Sequence, residues 1–179
     1  MSKTNLAKLI LFLVIVGVVL YFALRLRTPH PVVVGDSAPR FILPSLSRGT
    51  IGLSDFRGQV IVLNFWATWC PPCIEETPSL ENFAVEMREK GVTVIGVSVD
   101  EDRTAVQKFV ERFRVSYPIA LDSNQTVATR YGTFKFPETY IIDRNGKVVE
   151  KVIGAINWQD PRMLSFIQDL ARGLTRQGK

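Results

Sequence analysis

The sequence predicts an α/β fold, a mixed sheet with helices on both faces, preceded by one apolar helix at the front of the chain. Three observations carry this. Val60-Ile61-Val62-Leu63-Asn64-Phe65-Trp66 and the run from Val92 to Val99 are near-continuous β-branched and aromatic stretches, as in strands buried on both faces. Segments of helical periodicity alternate with them, and an antiparallel hairpin comes last, which together give a mixed sheet.

At the front of the chain, Leu9 to Leu24 is apolar, glycine or aromatic throughout, and Leu6 and Ala7 around Lys8 extend the stretch to 19 residues. A bilayer needs roughly 20, with a range from about 17. Lys8 sits where a lysine snorkels, Tyr21 and Phe22 where an aromatic belt forms. A secretory signal has a core of only about 7 to 15 apolar residues before a small-x-small cleavage site. Here the segment runs straight into Arg25-Leu26-Arg27, so residues 1–27 are expected to be an uncleaved transmembrane anchor. Its orientation stays open on charge, because Lys3 and Lys8 balance Arg25 and Arg27.

Residues 28–34 form the expected linker, stiffened by Pro29 and Pro31 around His30, and 35–175 the folded domain. Phe41 to Leu53 reads as two short strands about the Ser47-Arg48-Gly49 turn. After the strand at 60–66, Leu80, Phe83, Ala84 and Met87 mark a helix that Pro78 should kink and Gly91 should end. Ala105, Phe109, Val110 and Phe113 mark the next helix. A short strand (117–121) and a short helix near 126–131 come before the hairpin of 139–142 with 147–153, and the fold is expected to carry a central strand-helix insertion. Asp143-Arg144-Asn145-Gly146 supplies an Asn-Gly turn, and Asn157 is expected to open the last helix.

The chain carries a net charge of +5. Residues 1–31 hold four basic residues and no acids, which leaves 18 basic against 17 acidic residues in the remainder. With interspersed charges and no basic stripe, nucleic-acid binding is excluded on footprint.

Trp69-Cys70-Pro71-Pro72-Cys73 contains the only two cysteines. A pair with no other thiol in the chain closes on itself as Cys70–Cys73 or exchanges with an outside disulfide. A two-residue spacer closes almost no loop, so a structural disulfide gains little. Structural zinc needs four ligands, which two cysteines and one histidine cannot supply. The pair sits where a strand meets a helix, the usual place for a site in such sheets. In exchange the thiolate attacks, and a helix N-terminus lowers its pKa. Pro71 and Pro72 suit the first helical positions but remove two donors, so Cys70 keeps only amides from Cys73 onward. That predicts a moderately depressed thiol and a reducing pair, nearer about −270 mV than −120 mV. Cys70, at the exposed mouth, should attack; Cys73, one turn in, should resolve the mixed disulfide.

Asn64 to Cys73, Pro78, and Phe136-Pro137-Glu138-Thr139-Tyr140-Ile141-Ile142-Asp143 resemble the thioredoxin-like group named for TlpA, ResA and DsbE, and Gly35 to Phe41 resembles its entry segment. The resemblance covers roughly residues 35–170. It implies a thioredoxin-like fold with an N-terminal β-hairpin, and a membrane-anchored thiol-disulfide oxidoreductase with its amino terminus inside. The catalytic domain then lies in the periplasm or extracytoplasmic space. The implied partners are client proteins bearing disulfides, apocytochrome c among them, and a membrane thiol-reductant donor of the DsbD/CcdA type. No cofactor is expected beyond the redox-active disulfide, and no metal.

By position, Pro137 resembles the family's cis-proline, which faces the cysteines and leaves the preceding backbone to pair with a client. Thioredoxin's buried aspartate aligns with Asn64, which has no proton to exchange. Glu76, three residues after Cys73, resembles the acid of ResA-like members and is the expected base. Trp66 is expected in the core, and Trp69 on the client surface with Phe136 and Pro137. Glu138 resembles the Pro-Glu-Thr of the cytochrome-maturation branch, whereas the bulk of Phe136 departs from it and narrows the groove. A disulfide-donating oxidase or isomerase usually carries histidine between its cysteines. A copper-assembly factor would need wider spacing and a downstream histidine, and a peroxidase a separate peroxidatic cysteine. The reductant reading therefore leads.

Overall fold

The computed structural model describes residues 3–25, 30–47 and 49–174. Leu26 to Pro29 of the expected anchor end and linker, Arg48 of the expected turn and residue 175 of the expected domain end lie outside them. The chain divides into two compact units, 1–30 and 31–179.

The first unit holds helix α1 (Lys3–Arg25). Among the described residues no helix is long and apolar enough to cross a membrane, so the structure lends the expected transmembrane helix no support. The side chains of Leu6, Ala7, Leu9, Ala23 and Leu24, on which that expectation drew, are among those not described.

The second unit is an α/β domain. Strands β1 (Ile42–Pro44) and β2 (Thr50–Gly52) pair antiparallel as a hairpin. Strands β3 (Val60–Trp66), β4 (Val92–Ser98), β5 (Ile119–Leu121), β6 (Glu138–Ile142) and β7 (Val148–Ile153) form a sheet of order β5-β4-β3-β6-β7. β3 runs parallel to β4 and antiparallel to β6, which makes the sheet mixed. All seven residues of β3 are buried, as its unbroken apolar run requires.

Helices α2 (Pro71–Arg88), α3 (Arg103–Phe113), α4 (Thr126–Tyr131) and α5 (Pro161–Ala171) complete the domain. Asn64, at the centre of the sheet, sits in register with Thr139 on β6 and Gly96 on β4. A Cβ on Gly96 would lie 2.7 Å from Ile119 Cδ1 and 2.9 Å from Trp66 Nε1, so only glycine fits between them. Trp66 is buried core, its ring 4.6 Å from that of Phe109.

Helix α2 runs unbroken through Pro78 from Pro71 to Arg88. Asp143 to Gly146 form the β6–β7 turn, as expected, with Gly146 N donating to Asp143 O at 3.0 Å and Gly146 at positive φ (80°). The Asp143 carboxylate also accepts from the amides of Asn145 and Lys147. Helix α5 opens at Pro161, not Asn157: Asp160 accepts from Arg162 N at 2.8 Å as the cap, with proline at the first helical position. Asn157 makes a separate turn, accepting from Gln159 N.

Candidate active site

Cys70 closes the loop between β3 and α2 and serves as the N-cap of α2. Its backbone is extended (φ −93°, ψ 106°), and its Sγ accepts from Cys73 N at 3.3 Å. Pro71 and Pro72 occupy the first helical turn, where a missing N–H leaves nothing unsatisfied. Cys73 therefore supplies the first amide reaching the sulfur. Cys70 and Cys73 form a disulfide, with Cα atoms 5.3 Å apart.

The loop before Cys70 is fastened from the neighbouring strand. Asp100, just beyond β4, accepts from Thr68 N (3.0 Å) and Ser98 Oγ (2.8 Å) on Oδ2 and from the Thr68 hydroxyl on Oδ1. This latch on the residue two before Cys70 was not anticipated from sequence. Asp100 lies 32 positions from Thr68, and nothing local announces the pairing.

Cys70 is not at an exposed mouth. In the disulfide it is 4% exposed, nearly as buried as Cys73 at 2%. Its sulfur is turned inward over the helix N-terminus by the bond to Cys73. What is exposed beside it is Trp69, at 64%. The Trp69 ring meets that of Phe136 edge-on, with centroids 6.1 Å apart. The Phe136–Pro137 peptide is cis, and Pro137 O accepts from Gly154 N. Trp69, Phe136 and Pro137 are thus gathered from the loop ahead of α2 and the start of β6.

Glu76 is 3% exposed. One Oε1 contact comes from Trp158 Nε1 at 2.7 Å and a second from Ile156 N at 3.3 Å. Oε2 accepts from Asn64 Nδ2 at 3.3 Å, and the same amide donates to Thr139 Oγ1 at 2.9 Å. Burial pushes the Glu76 acid up to about 7, against the three hydrogen bonds that favour its carboxylate. Its place three residues after Cys73 puts both on one helix face. Asn64, where a proton-exchanging aspartate would stand, becomes the donor that ties the carboxylate to the sheet.

Glu138 faces the opposite side of β6 from Thr139. It is fully buried, with Lys151 Nζ 2.9 Å from Oε1 and the Tyr140 hydroxyl donating to the same oxygen. Its Oε2 has no hydrogen-bond partner among the described residues. In the sequence Glu138 stands out only as part of a motif, and its ion pair with Lys151 arises from β6–β7 pairing.

The chain matches the family model described as AhpC/TSA family over residues 34–151. It is 39% identical over 129 residues to the thiol-disulfide oxidoreductase ResA of Geobacillus thermodenitrificans, covering 72% of this chain and 74% of that protein. The ResA of Oceanobacillus iheyensis is 34% identical over 167 residues, covering 90% and 86%. Among solved structures, a Chlorobium tepidum protein described as a thiol:disulfide interchange protein DsbE is 30% identical. It superposes with a TM-score of 0.69 over 80% of this chain and 98% of its own. The thioredoxin domain of a Bacteroides vulgatus thiol-disulfide oxidoreductase is 25% identical, with a TM-score of 0.69 over 78% and 99%.

Proposed function

This chain belongs to the AhpC/TSA thioredoxin-like family, among relatives named thiol-disulfide oxidoreductase ResA, and from that membership we propose that it reduces client disulfides outside a membrane to which its front segment anchors it. It is a thiol-disulfide oxidoreductase. The reducing direction is our reading, and one observation carries it: Cys70 caps α2 with a single amide on its sulfur because Pro71 and Pro72 offer none. A thiolate with few donors is only moderately stabilised, and a less stabilised dithiol is the stronger reductant.

In the proposed cycle the Cys70 thiolate attacks a client disulfide, forming a mixed disulfide and releasing the first client thiol. The Glu76 carboxylate takes the proton of Cys73. The Cys73 thiolate then attacks Cys70 Sγ, the bond to the client sulfur breaks, and the second client thiol leaves after protonation. Two electrons pass from the dithiol to the client. Trp69, Phe136 and the Pro137 backbone form the surface against which the client strand lies. Apocytochrome c fits as a client because its haem-attachment site is itself a closely spaced cysteine pair. A membrane donor of the DsbD/CcdA type would return the electrons. The 19-residue apolar stretch at the front supports the anchor, with the amino terminus inside and the domain in the periplasm or extracytoplasmic space.

Reduced protein mixed with an oxidised Cys-x-x-Cys-His peptide tests the reading. Peptide thiols should appear in step with loss of Cys70 and Cys73 thiols. A reaction that instead oxidises reduced peptide while leaving oxidised peptide untouched would overturn it.

A further inference from the structure

The side chain that holds Glu76 comes from the far end of the chain. Trp158 lies between β7 and α5 and is fully buried. Its backbone N donates to Ser79 Oγ at 3.4 Å, the Asn157 turn precedes it, and its indole packs against Phe83 with centroids 5.3 Å apart. A buried indole has one donor to satisfy. Trp158 directs it at Glu76 Oε1, the shortest of the contacts that carboxylate makes.

The two oxygens of Glu76 are therefore unequal. Oε1 carries two donors, one short, and is the oxygen on which negative charge is held. Oε2 carries one long contact from Asn64 and retains lone-pair capacity. Building on the reading of Glu76 as the base for Cys73, we propose that Trp158 is a positioning residue for the exchange, its indole N–H fixing Oε1 so that Oε2 receives the Cys73 proton. In that step the Cys73 S–H bond breaks, the proton forms the neutral acid at Oε2, and the sulfur keeps the electron pair for its attack on Cys70. The acid later returns the proton to water.

The same donor opposes the burial that raises the Glu76 acid. The groups facing Glu76 from β3, β6 and the 154–160 segment are Asn64, Thr139, Ile156 and Trp158, all uncharged. Its own helix carries Cys73, which titrates when reduced, and the charged side chains Glu75, Glu81, Glu86 and Arg88. Tyr117 feels the charge of Glu81 and Glu76, and burial holds it protonated, far above the usual tyrosine range. A pH midpoint near 7 thus belongs to Glu76.

Trp158→Phe keeps the ring packed on Phe83 and removes only the donor. The measurement is the rate of client-thiol release from a preformed Cys70 mixed disulfide as a function of pH. Losing a donor to the carboxylate should raise the midpoint of the acid limb by about one pH unit, a roughly tenfold loss of rate below it, with recovery at high pH. Glu76→Gln should abolish that limb, and Trp158→Phe should add no shift to it. An unmoved midpoint in Trp158→Phe, with the limb still lost in Glu76→Gln, overturns the role of Trp158 alone. A limb that survives Glu76→Gln overturns the reading of Glu76 itself. A second measurement needs no Trp158 variant: in the natural full-length chain, the indole 15N–1H signal of Trp158 should move with pH with a midpoint near 7, and it should stay flat in Glu76→Gln. A flat signal in the natural chain would overturn the proposal even if Trp158→Phe failed to fold.

Discussion

Replacing Glu76 by Gln should change the pH dependence of stability by an amount set by its burial. In the folded chain the acid is raised from its ordinary 4.5 to about 7, with desolvation the leading cause. A carboxyl group raised on folding destabilises the native state when it ionises. The penalty is absent below the unfolded pKa of 4.5, grows between 4.5 and about 7, and is complete above about 7. That gap corresponds to about 3 kcal/mol, of which about 2.5 kcal/mol develops between pH 5 and pH 8. Glutamine has no such slope. Its amide places a donor against Asn64 Nδ2 where Oε2 stood, a cost that does not vary with pH. Urea denaturation of the oxidised full-length chain should therefore show Glu76→Gln gaining on the parent by about 2.5 kcal/mol between pH 5 and pH 8, whatever the offset at pH 5. A difference between the two proteins that stays constant across this range, within about 0.5 kcal/mol, would refute a carboxyl group raised by burial.

Cys73→Ser should trap a stable mixed disulfide between Cys70 and a client, visible by mass spectrometry, whereas Cys70→Ser should trap none; trapping through Cys73 would reverse the two roles. Lys151→Met leaves the buried Glu138 carboxylate without its ion partner and should lower stability by about 3–5 kcal/mol in denaturant titration. Adding Glu138→Gln should restore most of that loss. Phe136→Ala removes the ring that meets Trp69 edge-on; kcat/KM should rise severalfold for bulky clients and hardly change for a small disulfide such as oxidised glutathione.

What the sequence made legible was local. The run Val60 to Trp66 could only be a strand buried on both faces, and Cys70-Pro71-Pro72-Cys73 carried both its place at a helix start and its donor-poor sulfur. Glu76 was visible by its spacing from Cys73, but its environment was not: Trp158 and Ile156 lie some 80 positions away and meet it only through the packing of the segment after β7. The Asp100 latch on Thr68 was hidden for the same reason, since parallel pairing of β3 and β4 brings those ends together. Asn157 misled because it is a strong capping residue in the right region, while Asp160-Pro161, three residues on, combines a cap with a proline at the first helical position. Burial of Cys70 depends on which way its sulfur turns in the disulfide, which no composition or period encodes.

The central claim is that this pair donates electrons, and its equilibrium potential tests that most directly. Titrating Cys70 and Cys73 of the full-length chain in glutathione buffers, with thiols counted by mass after alkylation, should give a value near about −270 mV. A value near about −120 mV, where the pair would take electrons from client thiols, would contradict the account.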